Sequence, residues 1–353
     1  MKLKYYLFQP FIGLIGGLLA LPAAAVNYNY TTINPPNYKY VRVTGINDNG
    51  ELTGHYDKDS SRYGFIYKDG VFTTLSPLKS KNTVSLGINA SGEVVGSFYN
   101  GQGYSGFLYS KGNYTILNAD ANSINNSGKI AGDGYVYSKG SYTSLNAPGS
   151  IGGTHATSIN NSGQIAGWYK DATGYRGFVE SEGAFTTLTG PGNSPITYAR
   201  SINDSGQVAG QYYIYSEPNR PTGYGFMYSH CSFTTLSFPG STFTGATAIN
   251  ANGQVTGVYD TGFWTGGIGS YKSFVYSDGS FTSLSVPGSS YTYALGINVR
   301  GQVVGEYGDI RGVHGFIATP VPEPEEYLLM LLGFGMVGYQ VKRKMMKLNP
   351  AYA

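Results

Sequence analysis

Cysteine and charge are scarce in this sequence. The single cysteine, Cys231, permits no internal disulfide, so the fold must depend on buried apolar surface and strand pairing. Charged residues make up 12% of the chain, about half the usual share. Six of the 23 basic and three of the 20 acidic residues lie in the two termini, which leaves 17 of each between them. This neutral middle lacks the basic surface that a nucleic-acid-binding protein needs.

The patterns of helices and of common catalytic sites are also missing. No window keeps a 3.6-residue apolar period, which argues against helices between the termini. The four histidines, His55, His155, His230 and His314, lack metal-ligand spacing, and no nucleophile elbow or phosphate loop occurs. We therefore expect neither a metal nor a cofactor.

What the sequence does have is a repeat. The stretch Gly45 to Gly54 reads Gly-Ile-Asn-Asp-Asn-Gly-Glu-Leu-Thr-Gly, and each copy keeps an Ile-Asn pair, a turn glycine and a short apolar run ending in glycine. A period of 35 to 48 residues is typical of solenoids, arrays and propellers. The seven repeated asparagines are Asn47, Asn89, Asn125, Asn160, Asn203, Asn250 and Asn298.

One repeat reads as four strands. In the first copy, alternating β-formers predict strands at Tyr40–Ile46, Leu52–Tyr56, Tyr63–Tyr67 and Val71–Leu75. Turns containing glycine separate the first strand from the second and the third from the fourth. Cys231 stands where a turn glycine is expected, and we interpret it as a tolerated turn substitution.

The last repeat ends early, and its missing strand occurs at the other end. Gly315 to Ala318 forms a third strand with no fourth strand after it, whereas Tyr30 to Ile33 has the fourth-strand pattern. Pairing of the two would remove both open edges. This favours a seven-bladed β-propeller of four-stranded antiparallel blades, spanning residues 26–320, over an open β-solenoid.

The repeat signatures carry a family resemblance. Gly-Ile-Asn-x-x-Gly-x-Val-x-Gly together with x-Gly-Phe-x-Tyr resembles the extracellular HAF repeat, named for a His-Ala-Phe triplet. Only His314-Gly315-Phe316 keeps the histidine, so the chain resembles a divergent member. The resemblance implies a secreted propeller-like protein and implies little about activity.

The N-terminus has the order of a secretory signal. Lys2 and Lys4 precede an apolar stretch from Leu7 to Leu21, which ends before Ala23-Ala24-Ala25. We predict a signal peptide over residues 1–25, with a retained anchor as the alternative.

The C-terminus, residues 321–353, has three parts in a fixed order: Pro322-Glu323-Pro324, an apolar run from Tyr327 to Val341 and a basic end, Lys342-Arg343-Lys344. This order resembles the PEP-CTERM sorting tail of Gram-negative, exopolysaccharide-producing bacteria. The resemblance implies an exosortase-type enzyme as partner. The run is near the lower limit for a transmembrane helix, and its basic end would stay cytoplasmic. A plain membrane anchor is the alternative. Either way the chain is expected to be exported to the cell surface or the extracellular matrix.

The repeated asparagines and the variable loops give opposite expectations about function. Asparagine at a hairpin usually bonds its own backbone, so we interpret the seven as structural. The variable connections share the other face, where loops on a rigid scaffold carry function. Aromatic side chains there suit sugar rings, although each could instead pack between blades. We predict ligand contacts first at Trp264 and then at Tyr291, Tyr293, Tyr175 and Tyr104; Tyr198, Phe243 and Phe263 belong to the same group.

Three functions stay open. The first is a binding or matrix protein that recognises polysaccharide or another surface polymer. The second is a glycoside hydrolase or polysaccharide lyase, for which two carboxylates would have to converge at the central channel. The third is a scaffold without a ligand. Candidate carboxylates for the enzyme are Asp57, Asp171, Asp260, Glu306 and Asp309.

Overall fold

A computed structural model describes residues 26–38, 40–217, 220–261 and 271–321. Among these residues there is no α-helix, and the one 3-10 turn is Pro77–Lys79. In chain order the strands are β1 Tyr28–Ile33, β2 Tyr40–Ile46, β3 Leu52–Lys58, β4 Ser61–Lys68, β5 Val71–Leu75, β6 Thr83–Ile88, β7 Val94–Tyr99, β8 Tyr104–Ser110, β9 Asn113–Leu117, β10 Ala121–Ile124, β11 Ile130–Gly132, β12 Tyr135–Ser138, β13 Ser141–Ser144, β14 Thr154–Ile159, β15 Ile165–Asp171, β16 Gly174–Ser181, β17 Ala184–Leu188, β18 Ile196–Ile202, β19 Val208–Glu217, β20 Arg220–Ser229, β21 Ser232–Leu236, β22 Thr244–Ile249, β23 Val255–Asp260, β24 Tyr271–Ser277, β25 Ser280–Leu284, β26 Tyr291–Ile297, β27 Val303–Asp309 and β28 Gly312–Pro320. The four predicted strands of the first repeat are β2 to β5: β2 and β5 have the predicted bounds, and β3 and β4 are longer than predicted.

The strands pair in antiparallel groups of four, which we call arrays. Three arrays are separate sheets, β6–β9, β10–β13 and β22–β25. In two larger sheets, neighbouring arrays touch through one parallel pair each, Tyr40 opposite Val313 and Tyr175 opposite Ile196. The all-β fold of four-stranded antiparallel sheets is therefore confirmed.

The repeated asparagines hold the turns and tie each array to the next. In the first array, the Oδ1 atom of Asn47 accepts hydrogen bonds from the backbone N–H groups of Asn49 and Glu51 at 3.1 and 2.9 Å. The Nδ2 atom donates to the carbonyl of Asn89 in the next array at 2.9 Å. Each of the other six repeated asparagines donates in the same way, and Asn298 donates to Asn47 at 3.2 Å. The structural interpretation of these residues is confirmed.

Close packing explains the glycine that ends each apolar run. A Cβ atom on Gly54 would lie 2.1 Å from the Arg42 carbonyl and 2.9 Å from the Phe65 ring. In the arrays, an aromatic ring of the third strand thus packs directly against the glycine of the second strand. Six of these rings are fully buried phenylalanines, and the third array uses Tyr135. The ring positions are Phe65, Phe107, Phe178, Phe226, Phe274 and Phe316.

The first strand pairs with the last, as the sequence predicts. β1 lies antiparallel to β28, with Thr32 opposite Phe316 and Ile33 opposite Gly315. The Ile33 side chain is 3% exposed and packs in a core cluster with Val41 and Phe65 of the first array. β1 therefore joins the two ends of the described chain through both strand pairing and core packing.

Cys231 lies in the turn between β20 and β21. It is exposed, and its φ of 59° is a left-handed value that glycine adopts more easily. The turn interpretation of this residue is therefore confirmed.

The predicted signal peptide, residues 1–25, lies outside the described residues, and so does the predicted sorting tail, residues 321–353, except for Val321. Within the part of the chain that the structure describes, no helix has the length and apolarity needed to span a bilayer.

Candidate functional site

A ring of β-bulges lines one mouth of the space between the arrays. In the strand of each array that carries the Ile-Asn pair, the pairing register shifts by one residue. The residue two positions before the isoleucine is left unpaired. Such bulges turn a side chain away from the regular alternation. All seven bulge residues line one cavity of about 910 Å³: Thr44, Leu86, Asn122, Thr157, Arg200, Thr247 and Leu295.

Four of the bulge residues have a structural use. Thr44 donates a hydrogen bond from Oγ1 to the Ser85 carbonyl of the next array at 2.8 Å. Thr157, Thr247 and Asn122 likewise bond to carbonyls of their following arrays. Arg200 instead places its guanidinium 5.1 Å from the ring centroid of Tyr198, on the same strand. It is the charged member of an otherwise neutral ring.

Aromatic side chains form two walls of the cavity. On one wall the indole of Trp168 stacks on the His155 ring at 4.0 Å and is backed by Tyr175 and Tyr198, at 5.6 and 5.4 Å. On the other wall, Tyr213, Phe243 and Tyr271 follow one another at centroid distances of 6.1 and 6.0 Å. Both walls present flat apolar surfaces next to hydrogen-bonding groups.

The charges of the described lining are mostly positive. Arg42, Arg62 and Arg200 line the cavity together with one carboxylate, Asp133, which pairs with His155 at 3.1 Å. Arg62 is neutralised by a two-pronged bond to Asp57, which lies outside the lining. The Nε atom of Arg42 lies 3.6 Å from Glu306, beyond hydrogen-bond length. Arg42 and Arg200 are therefore the cationic groups with the least local compensation.

His55 lies in the same lining as a buried neutral base. It is 6% exposed, and its Nδ1 atom is buried without a hydrogen-bond partner. Burial first, and then the positive charges of Arg62 and Arg42, lower the pKa of His55 to about 3. At neutral pH the imidazole is uncharged, as expected beside two guanidinium groups.

The sequence-predicted contacts fall in different places. Tyr293 lines the cavity with Arg42 5.9 Å from its ring, and Tyr175 lies behind Trp168. Tyr291 packs over Gly308, and burial raises its pKa to about 12. Tyr104 is 58% exposed, bonds to Asn82 and is not part of the lining. Trp264 lies outside the described residues.

The candidate carboxylates are held by other groups. Asp57 binds Arg62, Asp171 binds Arg176 and Thr173, and Asp309 binds His314 at 2.9 Å. Asp260 accepts bonds from Thr242 and Phe243, while Glu306 accepts one from Tyr40 at 2.6 Å. None of the five belongs to the described lining. In the same part of the chain, no three His, Cys, Asp or Glu side chains are grouped as metal ligands.

The sequence predicted the lining residues Phe243 and Tyr293, and Tyr175 and Tyr198 behind Trp168, but it did not predict most of the lining. Trp168 and Tyr213 lie inside strands, where alternation alone does not indicate a shared cavity. Arg200 could have been found, because it occupies the position two residues before the Ile-Asn pair, and its side chain is the only charged one there.

No protein-family model and no curated protein matches this chain. The β-propeller domain of the trilobed protease from Pyrococcus furiosus, described as having an open velcro topology, is similar in structure. Its TM-score is 0.55 and its identity 9%, over 81% of this chain and 94% of that one. The acylaminoacyl peptidase of Pyrococcus horikoshii has a TM-score of 0.53 and 9% identity, over 82% of this chain and 53% of that one. At such identities these likenesses show the fold alone, and that fold is the β-propeller.

Proposed function

We propose that the arrays are the seven blades of a closed propeller. Pairing of β1 with β28 supports closure, because it completes the last array with a strand from the start of the chain. The hydrogen bond from Asn298 to Asn47 supports it further, since it repeats between the last and first arrays the link found between all the others.

We propose that this chain is an exported polysaccharide-binding protein of the cell surface or biofilm matrix of a Gram-negative bacterium. The observation that carries the proposal is the cavity at the bulge ring, where the indole of Trp168 and the phenol of Tyr293 lie beside Asn122, Gln211 and arginine side chains. Aromatic faces stack on the apolar faces of sugar rings, and the surrounding polar groups bond to hydroxyls.

Sorting follows from the two ends of the chain. We propose that residues 1–25 direct export and that an exosortase-type enzyme recognises Pro322-Glu323-Pro324 after the apolar run enters the membrane. A chain with Glu323→Ala should keep its full C-terminal mass and stay in the inner-membrane fraction. The natural chain should lose its tail in the producing cell. Equal processing of both would remove the sorting proposal.

Binding is favoured over glycoside hydrolysis because the described lining has one carboxylate, Asp133, whereas hydrolysis ordinarily uses two. The second candidate is a polysaccharide lyase. The pairing of His155 with Asp133 favours it, because an imidazole held by a carboxylate can remove a proton next to a sugar carboxyl group. The unsaturated product of a lyase absorbs ultraviolet light. A continuous absorbance assay on acidic polysaccharides therefore distinguishes a lyase from a protein that only binds them.

A glycan array probed with the full-length chain tests the binding proposal. We expect Trp168→Ala and Tyr293→Ala to lose binding, and Tyr104→Ala to keep it, because Tyr104 lies outside the lining. Trp264→Ala tests the contact predicted from the sequence. Equal binding by the Tyr293→Ala and Tyr104→Ala chains would show that the cavity is not the binding surface. No binding of any glycan by the natural chain would favour a scaffold without a ligand.

A further inference from the structure

We infer that the cavity binds an acidic sugar unit, one that carries a carboxylate or a sulfate, and that Arg200 and Arg42 are its anion-binding groups. This inference deepens the proposed polysaccharide-binding function and rests on it. The shared chemistry of the two possible ligands is a negatively charged oxygen group attached to a sugar ring.

The first argument is the position of Arg200 in the bulge ring. Its counterparts are threonine, leucine or asparagine, and four of them hold neighbouring arrays together through hydrogen bonds to carbonyls. Arg200 makes no salt bridge in the described chain, and its guanidinium lies over the Tyr198 ring and near Tyr213. An exposed guanidinium that takes no part in joining the arrays is free to bind an anion in two-pronged fashion.

The second argument is the charge balance of the lining. Three arginines face one aspartate, and the Asp133 carboxylate is already bonded to His155. The partners of Arg42 and Arg62, which are Glu306 and Asp57, are not part of the described lining. The lining therefore offers an entering anion more guanidinium groups than carboxylates, and low-dielectric walls strengthen that attraction.

The third argument is the buried histidine among these arginines. The Nδ1 atom of His55 has no hydrogen-bond partner, although the residue is 94% buried within the lining. The Nδ1 atom is itself enclosed by protein, so a ligand does not reach it. Because burial and the two arginines keep the imidazole neutral, the positive charge that an anion meets on this wall comes from Arg42 and Arg62.

The fourth argument is the proximity of a stacking surface to the charge. Tyr198 contacts both groups, with the Arg200 guanidinium at 5.1 Å and the Trp168 ring at 5.4 Å. A sugar ring stacked on Trp168 would therefore have its ring substituents near Arg200. Stacking binds the sugar, and the guanidinium selects a charged one.

The test compares one polymer with and without its charge. We propose calorimetric titration of the full-length chain with oligogalacturonate, with the same oligomer after its carboxyl groups are reduced to alcohols, and with a sulfated galactan oligomer. We expect an acidic oligomer to bind about tenfold or more tightly than the reduced one, because each charge-assisted hydrogen bond contributes that much. Its affinity should fall as salt is raised. Whether the carboxylated or the sulfated oligomer binds identifies the source of the charge.

Two arginine variants separate a built site from general attraction. Arg200→Gln should weaken binding of the acidic oligomer about tenfold while leaving any binding of the reduced oligomer unchanged. Arg300→Gln removes the same charge from the exposed turn after β26, outside the lining, and it should have no effect. Equal losses in both variants would overturn the inference.

The outcomes also separate this inference from the proposed function. Equal affinity for the charged and reduced oligomers would overturn the anion site while supporting polysaccharide binding. Failure of all oligomers, together with an empty glycan array, would remove both.

Discussion

Truncation of one buried side chain, Ile33→Ala, tests whether the N-terminal strand is part of the folded propeller. Ile33 is the last residue of β1, 3% exposed, and lies against Val41 and Phe65 of the first array. Its counterpart inside the chain is Leu188, the last residue of β17, which is 1% exposed. Both face a glycine of their neighbouring third strand, Gly315 and Gly177.

The two positions should therefore respond alike. Removing a large aliphatic side chain from a core costs about 2 to 5 kcal/mol, as the sum of lost burial and the cavity left behind. We expect Ile33→Ala and Leu188→Ala each to lower the free energy of unfolding by about 3 kcal/mol. Ile116→Ala, on the exposed side of β9 at 41% exposure, should change it by less than about 0.5 kcal/mol.

Urea unfolding followed by circular dichroism and tyrosine fluorescence measures all three variants on the same chain. A normal loss for Leu188→Ala combined with no loss for Ile33→Ala would mean that β1 is not docked. The pairing of β1 with β28, and with it the closed propeller, would then be refuted.

Three further predictions concern a glycine, an asparagine and a histidine of the repeats. Gly167→Ala should destabilise the chain by about 4 kcal/mol or prevent folding, because its Cβ would lie 2.1 Å from the His155 carbonyl and against the Phe178 ring; Gly103→Ala, with open space around it, is the control in the same urea assay. Asn160→Ala should cost about 3 kcal/mol of unfolding free energy, because three short hydrogen bonds to Gln164 and Asn203 are lost, and a cost below that of the exposed Asn161→Ala would contradict the structural role. The pKa of His55 is lowered to about 3, so below about pH 6.5 the unfolded chain binds a proton that the folded chain does not. The free energy of unfolding should therefore decrease by about 1.4 kcal/mol for each pH unit by which the pH is lowered below about 6.5. The urea midpoint of a His55→Gln chain should lose that part of the pH dependence, and an unchanged slope between pH 6 and pH 4 would show that His55 is not held neutral.

The strands could be predicted from the sequence because turn chemistry marks their ends. The turn glycine after Asn47 indicates where β2 ends, and the turn glycine before Val71 indicates where β5 begins. Both strands have the predicted limits. The pairing of β1 was predictable because its pattern completes a defective last repeat.

The cavity was harder to predict because bulges break the alternation on which strand reasoning depends. In a regular strand, successive side chains point to opposite faces of the sheet. At the bulge, Arg200 and Thr44 are unpaired, and their side chains line the cavity instead of following that alternation. Trp168 was hard to predict for another reason. Most of its neighbours in the lining come from other repeats, and no local sequence pattern indicates that they lie close together.

The unpaired position also makes the side chains that line the cavity independent of the strand pairing that forms the fold. Because the protruding residue is left out of the ladder, exchanging its side chain leaves the register of both flanking strands intact. Seven positions around the cavity can thus be changed one at a time, at a cost limited to the hydrogen bond that threonine or asparagine makes to the next array. Under the proposed function, substitutions at these seven positions would change which ligand the cavity accepts while the strands keep their pairing.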